Sequence, residues 1–244
     1  MSAEERGRSF LVVGGSGSGK SEFAQTLARR LGEPVTYLAT ARAEGPEMAW
    51  RIRRHQQSRP ASWTTVEAPR GLARALDAAG NHGPVVLLED VGSLAAACLP
   101  RVEERDGELA LPHVAVEEAQ AALEGELDAV YDWCAARGKA LVVVSLEVGL
   151  GMLPPSPLGR LYKDVVGEAN QRLAARADRT YLVVAGLPIE IGALARETLA
   201  GLGIPHPPAR PEWAVGGGQW AAAAPHPPAP PPASRAPASR GEGE

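Results

Sequence analysis

Short apolar runs alternate with amphipathic stretches along most of this chain. The apolar runs predict buried β-strands at residues 10–13, 35–38, 63–67, 85–88, 141–145 and 181–185. In the stretches between them, apolar residues recur every three or four positions and predict helices at residues 21–31, 47–57, 68–79, 114–136 and 158–177. Strands that alternate with helices predict an α/β fold, with a mostly parallel sheet covered on both faces.

A glycine-rich motif follows the first predicted strand and opens the first predicted helix. It consists of Gly14, Gly15, Ser16, Gly17, Ser18, Gly19, Lys20 and Ser21, which match the phosphate-loop pattern G-x-x-x-x-G-K-[ST]. The glycines let backbone N–H groups converge on phosphate oxygens, and the start of a helix favours an anion. Lys20 would reach the outer phosphates, and the Ser21 hydroxyl would be a ligand of the accompanying Mg²⁺. The motif predicts a nucleoside triphosphate site.

Three polar residues end other predicted strands, at the edge of the sheet where the phosphate loop also lies. Glu89 follows a buried run and is the expected acidic companion of the loop, holding Mg²⁺ directly or through water. The alternative is that Glu89 and Asp90 are a charged pair that enters solvent at the end of the strand. Thr40 is a candidate ligand contact, with a local cap as the alternative. Glu147 is a candidate acid, base or metal partner, with a structural loop role as the alternative.

The predicted helix at residues 47–57 carries His55 on the same side as its apolar positions Met48 and Ile52. From these residues alone, a half-buried structural histidine is favoured over a functional one. Several arginines surround it and indicate either a second phosphate-binding region or a solvated helix face: Arg51, Arg53, Arg54 and Arg59.

Composition narrows the class of protein. A net charge of −4 and a pI near 5.8 give no reason to expect nucleic acid as a partner. Cys98 and Cys134 lie far apart without metal-ligand spacing, so both are expected to be reduced core residues. No run approaches the roughly 20 apolar residues of a membrane helix. We therefore expect a cytoplasmic protein without a membrane span.

The chain divides into three segments by composition and motif. Residues 1–9 are charged and predict a flexible N-terminus. Residues 10–204 are predicted to form one P-loop nucleotide-binding catalytic domain. Residues 205–244 are rich in Pro and Ala and predict a disordered tail.

Several blocks together resemble the bifunctional adenosylcobinamide kinase/adenosylcobinamide-phosphate guanylyltransferase family of cobalamin synthesis. The resemblance covers residues 10–188 and includes the phosphate loop. The most particular blocks are Tyr37-Leu38-Ala39-Thr40, the stretch from Glu47-Met48 through His55 and Arg59-Pro60 to Trp63 and Glu67, Leu87-Leu88-Glu89, the loop from Glu147 to Gly151, and Asn170-Gln171-Arg172.

This resemblance implies a RecA-like three-layer α/β/α fold, a homotrimer and two reactions. The first phosphorylates adenosylcobinamide with ATP or GTP, and the second transfers GMP from GTP to the new phosphate. The resemblance identifies His55 as the histidine that carries GMP. This implication reverses the interpretation that the residues alone favour, which is a half-buried structural histidine. It also implies a GTP site formed by Gly14, Gly15, Ser16, Gly17, Ser18, Gly19, Lys20, Ser21, Ala39, Thr40, Ala41, Gln56, Gln57, Ser58, Arg59, Glu67 and Glu89.

The chain departs from the family pattern at Ser16-Gly17, Asp90 and Leu146. Two alternatives to the bifunctional enzyme therefore stay open. One is a P-loop protein with a single activity, either the kinase or the guanylyltransferase. The other is a RecA-like switch protein whose association is driven by nucleotide binding.

Overall fold

The computed structural model describes residues 8–42, 45–57, 59–80, 82–100 and 113–203. The tail predicted at residues 205–244 and most of the N-terminal segment predicted at residues 1–9 lie outside these ranges. Arg8 and Ser9 are the exceptions, and Ser9 belongs to the first strand. Its backbone N–H donates to the Asp178 carboxylate at 2.7 Å, so the strand begins one residue earlier than the apolar run indicates.

Strands and helices alternate through most of the described residues, as predicted. The elements in chain order are β1 (Ser9–Gly14), α1 (Lys20–Leu31), β2 (Val35–Ala39), α2 (Gly45–Gln57), β3 (Thr64–Glu67), α3 (Leu72–Ala79), β4 (Val85–Glu89), α4 (Val91–Cys98), α5 (His113–Ala136), β5 (Ala140–Leu146), α6 (Pro157–Arg176), β6 (Arg179–Val184), β7 (Leu187–Glu190) and α7 (Ile191–Gly201).

The strands form one seven-stranded sheet in the order β3-β2-β4-β5-β1-β6-β7. All neighbouring strands pair in parallel except β6 and β7, which are antiparallel. The parallel part confirms the predicted fold class. Because parallel strands end at the same edge, the phosphate loop after β1 and the residues after β2, β4 and β5 meet there.

Helices cover both faces of the sheet and divide the core into two clusters. On one face, Ala24, Ala28 and Leu31 of α1 pack against inward side chains of the strands. On the other face, buried residues of α3, α4, α5 and α6 pack against the alternate strand positions. The central strands are apolar at nearly every position because both of their faces are buried.

Helix α3 begins at Leu72, four residues later than predicted. The N–H of Ala68 donates to the carbonyl of Ala39 at 2.8 Å, so Ala68 continues the edge of the sheet. The Glu126 carboxylate accepts the N–H groups of Gly71 and Leu72 and supplies the first turn with a partner from α5. This long-range cap has no signal in the local sequence.

A β-hairpin is present where the sequence pattern predicts only one strand, at residues 181–185. Ala185 and Gly186 have φ values of 51° and 78°, which form a tight two-residue turn between β6 and β7. Pro188 is tolerated because β7 is an edge strand. Neither β7 nor α7 was predicted, since both carry mostly exposed side chains and lack a buried apolar period.

The two cysteines are free and buried, as expected. Burial raises the pKa of the Cys134 thiol to about 12, which keeps it protonated and unreactive. None of the helices in the described ranges is long and apolar enough to cross a membrane.

Candidate nucleotide-binding site

The phosphate loop joins β1 to α1 and has the geometry of an anion cradle. Gly17 and Gly19 have φ values of 70° and 88°, which few residues with a Cβ adopt. The side chain of Lys20 folds back over the loop, with its Nζ 3.4 Å from the carbonyl oxygen of Gly15. Ser21 follows in the first turn of α1. The eight predicted residues therefore lie together at a helix N-terminus.

The loop is braced from the side by the β6–β7 turn. The N–H of Gly186 donates to the carbonyl of Ser18 at 2.8 Å. A Cβ on Gly19 would lie 3.0 Å from the Cα of Gly186, so the two backbones approach closely. This contact, with the positive φ, explains why Gly19 is glycine, whereas Gly186 is favoured by its own positive φ. It also assigns a role to a turn that the sequence did not connect with the loop.

Residues at the ends of β3, β2 and β4 form a row across the sheet. Glu67 is in register with Ala39, and Ala39 with Glu89. In-register residues of parallel strands share a face, and Ala39 packs on the same core cluster as α1. Glu67, Ala39 and Glu89 therefore lie on the same face of the sheet, which is the face that α1 covers. The phosphate loop leads directly into α1.

Tyr37 connects this row to Arg59. It lies two residues before Ala39 on β2, and its hydroxyl donates to Oε2 of the buried Glu89 at 2.8 Å. The guanidinium of Arg59 stacks on the Tyr37 ring, with Cζ 3.4 Å from the ring centroid, and Nη1 donates to the Thr65 hydroxyl at 3.3 Å. We refer to Tyr37, Arg59, Glu67 and Glu89 as the strand-end cluster.

The electrostatics of the strand-end cluster hold Tyr37 as a proton donor. Burial raises the pKa of the Tyr37 hydroxyl far above its usual range, and the negative charge of Glu89 raises it further. Sequence analysis did not single out Tyr37 from its residue type and spacing. The sequence does contain one indication. Side chains alternate between the two faces of a strand, so Tyr37 lies on the same face as Ala39, two residues later.

Thr40 ties the ends of β2 and β4 together. Its hydroxyl donates to the carbonyl of Asp90 at 2.7 Å and accepts the N–H of Asp90 at 2.8 Å. The peptide bond between Glu89 and Asp90 is cis. These bonds support the local structural role that the sequence left open, and Ala41 directly follows.

The remaining predicted residues lie at the end of α2. Gln56 Nε2 approaches the Glu67 carboxylate at 3.4 Å, which brings this helix end to the strand-end cluster. Ser58 lies outside the described residues. His55 and Gln57 belong to α2 by their backbone, and the positions of their side chains are not part of the description.

The Glu147 carboxylate makes hydrogen bonds within its own loop. Its two carboxylate oxygens accept the N–H groups of Gly149 and Leu150 at 2.8 and 3.0 Å, so it shapes its own loop. Two departures from the expected pattern also have structural explanations. Asp90 caps α4 by accepting the N–H of Ser93 at 2.6 Å, and Leu146 is held through its carbonyl by Asn170.

The phosphate loop and the strand-end cluster are separated by β5. Glu89 is in register with Val144, and Val144 with Val12, which precedes Gly14 by two residues. Two strand spacings and two residues correspond to about 10 Å across the sheet and about 7 Å along it. A ligand that contacts both regions has to span this distance between their backbones.

Comparisons with known proteins place the chain among a group of related sequences. The family model described as cobinamide kinase / cobinamide phosphate guanyltransferase matches residues 10–191. The bifunctional adenosylcobalamin biosynthesis protein CobU of Escherichia coli is 35% identical over 182 residues, which are 75% of this chain and 98% of the relative. The bifunctional adenosylcobalamin biosynthesis protein CobP of Pseudomonas aeruginosa is 35% identical over 181 residues, covering 74% of this chain and 95% of the relative. The CobU protein of Salmonella typhimurium is 34% identical over 182 residues, with coverages of 75% and 98%.

Proposed function

This chain belongs to the cobinamide kinase / cobinamide phosphate guanyltransferase family, and we propose that it uses a guanylylated His55 to transfer GMP. The overall function is phosphorylation of adenosylcobinamide followed by guanylylation of the product. The observation that carries the proposal is the family match over residues 10–191, which contains both the phosphate loop and the His55 helix.

In the first reaction, the aminopropanol hydroxyl of adenosylcobinamide attacks the γ-phosphorus of ATP or GTP. The bond from this phosphorus to the β–γ bridging oxygen breaks, the nucleoside diphosphate leaves, and the hydroxyl proton passes to solvent. Backbone N–H groups of the phosphate loop and the Lys20 ammonium stabilise the charge on the phosphate oxygens.

In the second reaction, an imidazole nitrogen of His55 attacks the α-phosphorus of GTP and pyrophosphate leaves. A phosphate oxygen of adenosylcobinamide phosphate then attacks the same phosphorus. The nitrogen–phosphorus bond breaks, which gives adenosylcobinamide-GDP and restores the neutral histidine. A neutral imidazole is available for this role near pH 7 because its unperturbed pKa is about 6.5.

The geometry supports this assignment through the end of α2. The contact between Gln56 and Glu67 brings the residue after His55 to the strand-end cluster. Arg59, stacked on Tyr37, offers a fixed guanidinium for the phosphates of the same nucleotide. We propose that Gln56, Gln57, Ser58, Arg59, Glu67 and Glu89, with Ala39, Thr40 and Ala41, bind GTP together with residues 14–21.

Mg²⁺ fits the oxygen donors of this site. Among the described residues, His, Cys, Asp and Glu side chains form no group of three that could hold a metal. Mg²⁺ is commonly held by one or two protein oxygens together with phosphates and waters. We propose that Ser21 binds it directly and that Glu89 acts through water, because β5 separates the two residues. Bound Mg²⁺ would neutralise charge on the departing pyrophosphate or diphosphate.

The proposed assembly is a homotrimer, and the proposed location is the cytoplasm, where GTP, ATP and reduced thiols occur together. The mass of the purified protein in solution, measured by light scattering with size-exclusion chromatography, tests the assembly. Three times the 25.5 kDa chain mass is the expected value.

A labelling experiment tests the covalent step. The protein is incubated with Mg²⁺ and GTP labelled at either the α- or the γ-phosphorus, then denatured and digested. The proposal predicts an acid-labile label from α-labelled GTP only, on the peptide that contains His55. His55→Ala should abolish it, and His206→Ala, a control in the predicted tail, should retain it.

The two alternatives give different results in the same experiment. Intact GTP binding with no covalent label would contradict the guanylyl-histidine and favour a kinase with a single activity or a nucleotide-dependent switch. Turnover of adenosylcobinamide separates these two, because a switch protein would phosphorylate no acceptor.

A further inference from the structure

The loop that follows β5 exposes three large apolar side chains next to one another. The exposed fractions are 86% for Leu150, 94% for Met152 and 68% for Leu153. Single exposed apolar residues are ordinary on protein surfaces, but a contiguous group indicates a binding surface. We call these three residues the apolar platform.

The backbone of this loop is held at several points. The Glu147 carboxylate accepts the N–H groups of Gly149 and Leu150, and Lys163 Nζ donates to the carbonyl of Gly151 at 2.8 Å. Arg160 Nη1 donates to the carbonyl of Pro155 at 2.6 Å. The loop is therefore tied to α6 while its apolar side chains stay outside the core. Burial within the fold does not account for these residue types.

The position of the loop limits what it can contact. β5 lies between β4, which ends at Glu89, and β1, which leads into the phosphate loop. The N–H of Glu147 donates to the carbonyl of Gly14 at 3.0 Å, so the loop that carries the platform begins beside the first residue of the phosphate loop. An acceptor that approaches the nucleotide between the end of β4 and the phosphate loop meets the platform.

We propose that Leu150, Met152 and Leu153 bind the corrin macrocycle of the acceptor, an inference that rests on the proposed function. The reacting hydroxyl of the acceptor is carried on a side chain of a large ring. The ring therefore has to rest outside the phosphate-binding loop while the side chain reaches in. The broad face of the ring would bury these side chains, and the unbranched Met152 can adapt to its irregular surface.

A second apolar surface helps to separate this occupant from another copy of the chain. Leu187, Ile189 and Leu194 are exposed on β7 and α7, on the far side of β6. That surface lies on an edge strand and the helix after it, whereas the platform follows β5, which lies between β4 and β1. Contact between protein chains is therefore better assigned to the edge of the sheet than to the platform.

The test compares the double variant Leu150→Ser with Met152→Ser against the wild-type enzyme. The KM for adenosylcobinamide in the kinase reaction should rise at least about tenfold, because two buried contacts are lost. The KM for GTP should stay within about twofold, which also shows that the variant is folded. Leu202→Ser is the matched control, since Leu202 is 67% exposed beyond the end of α7. It should leave both constants unchanged.

Three results would overturn the inference. An unchanged KM for adenosylcobinamide in the double variant shows that the ring does not rest on the platform. A fall in the mass of the assembly, together with loss of GTP affinity, assigns the platform to a second copy of the chain. If the wild-type enzyme does not turn over adenosylcobinamide, the proposed function and the platform fail together, whereas the first two results leave the proposed function standing.

Discussion

The phosphate loop and the strand-end cluster both contribute to the carboxyl edge of the sheet, but they are built in different ways. The loop is one continuous stretch, and the groups that we propose bind the phosphates are its backbone N–H groups with Lys20 and Ser21. The strand-end cluster takes single side chains from three strands and from the turn after α2. The first depends on local sequence, and the second depends on the order of the strands.

Because the two regions are built differently, substitutions in them should affect ligand binding and folding stability differently. The polar groups of the loop are proposed to bind a phosphate ligand, so changing Lys20 should affect binding more than folding. The groups of the cluster hold one another, since Tyr37 donates to Glu89 and carries the stacked Arg59. Changes in the cluster should therefore alter both stability and activity. The following substitutions test this contrast.

The largest effect is expected for Lys20→Met. Loss of the ammonium should lower kcat/KM for both reactions by about a hundredfold or more, because a charge on the transferred phosphate loses its partner. The free energy of unfolding should change little, since Lys20 Nζ makes one long contact, 3.4 Å from a carbonyl of its own loop. Steady-state kinetics and urea unfolding measure the two quantities. Arg30→Met, on an exposed position of the same helix, is the matched control.

Glu89→Gln should give the next largest effect. The change keeps the shape and removes the charge, so the rate at saturating GTP should fall by about tenfold to a hundredfold. A titration of Mg²⁺ should show that a higher concentration is needed for half-maximal rate. Glu190→Gln, at the end of β7, provides a glutamate control outside the site. If Glu89→Gln needs the same Mg²⁺ concentration for half-maximal rate as wild type, Glu89 does not contribute to the metal site.

Tyr37→Phe should affect stability clearly and activity less. It removes the hydroxyl that donates to Glu89, which should lower the free energy of unfolding by about 1.5–3 kcal/mol. The difference in the free energy of unfolding between this variant and wild type should be constant below pH 10. It should become smaller above pH 10. The pKa of Tyr37 is raised in the folded protein, so its stabilisation is lost as the unfolded phenol ionises.

The control for this substitution is Tyr181→Phe. Tyr181 contacts Phe23 through its ring, with centroids 5.1 Å apart, and this contact does not need the hydroxyl. Urea unfolding at pH 7 and at pH 10.5 should separate the two variants. Equal stabilities of Tyr37→Phe and wild type at pH 7 would contradict the cluster as an interlocked unit.

The smallest effect is expected at Cys134, which lies in the core away from both regions. Its pKa of about 12 keeps the thiol protonated at pH 8, and its burial excludes reagents. Iodoacetamide should not modify Cys134 in the folded protein, with or without GTP, and should modify it after unfolding in urea. Mass spectrometry of the digested protein measures this. Rapid modification of the folded protein would show that the core opens.

The two regions also differ in how far they could be predicted from the sequence. The phosphate loop was complete in the sequence, because its spacing and its flanking strand and helix are local. Glu89 and Thr40 were found as polar ends of apolar runs, and the structure brings them to the same edge. Tyr37 was missed as a functional contact because a tyrosine within a buried strand looks like core until its neighbours are known.

Other misses share the same cause, which is contact between residues far apart in the chain. The glutamate that starts α3 lies 54 residues after Leu72. The hairpin after β6 depends on a two-residue turn with positive φ at Ala185, a residue with no turn preference. The side chains of β7 and α7 are mostly exposed, and their apolar residues show little of the regular spacing of a strand or a helix. Sequence patterns therefore could not predict these two elements.

The central claim is that the phosphate loop and the strand-end cluster bind a single GTP. Isothermal titration calorimetry with Mg²⁺ and GTP tests it most directly, on wild type, Lys20→Met and Glu67→Gln. The account predicts one GTP per chain, with weaker binding of that same ligand in both variants. Two GTP molecules per chain, each lost in only one of the variants, would contradict it.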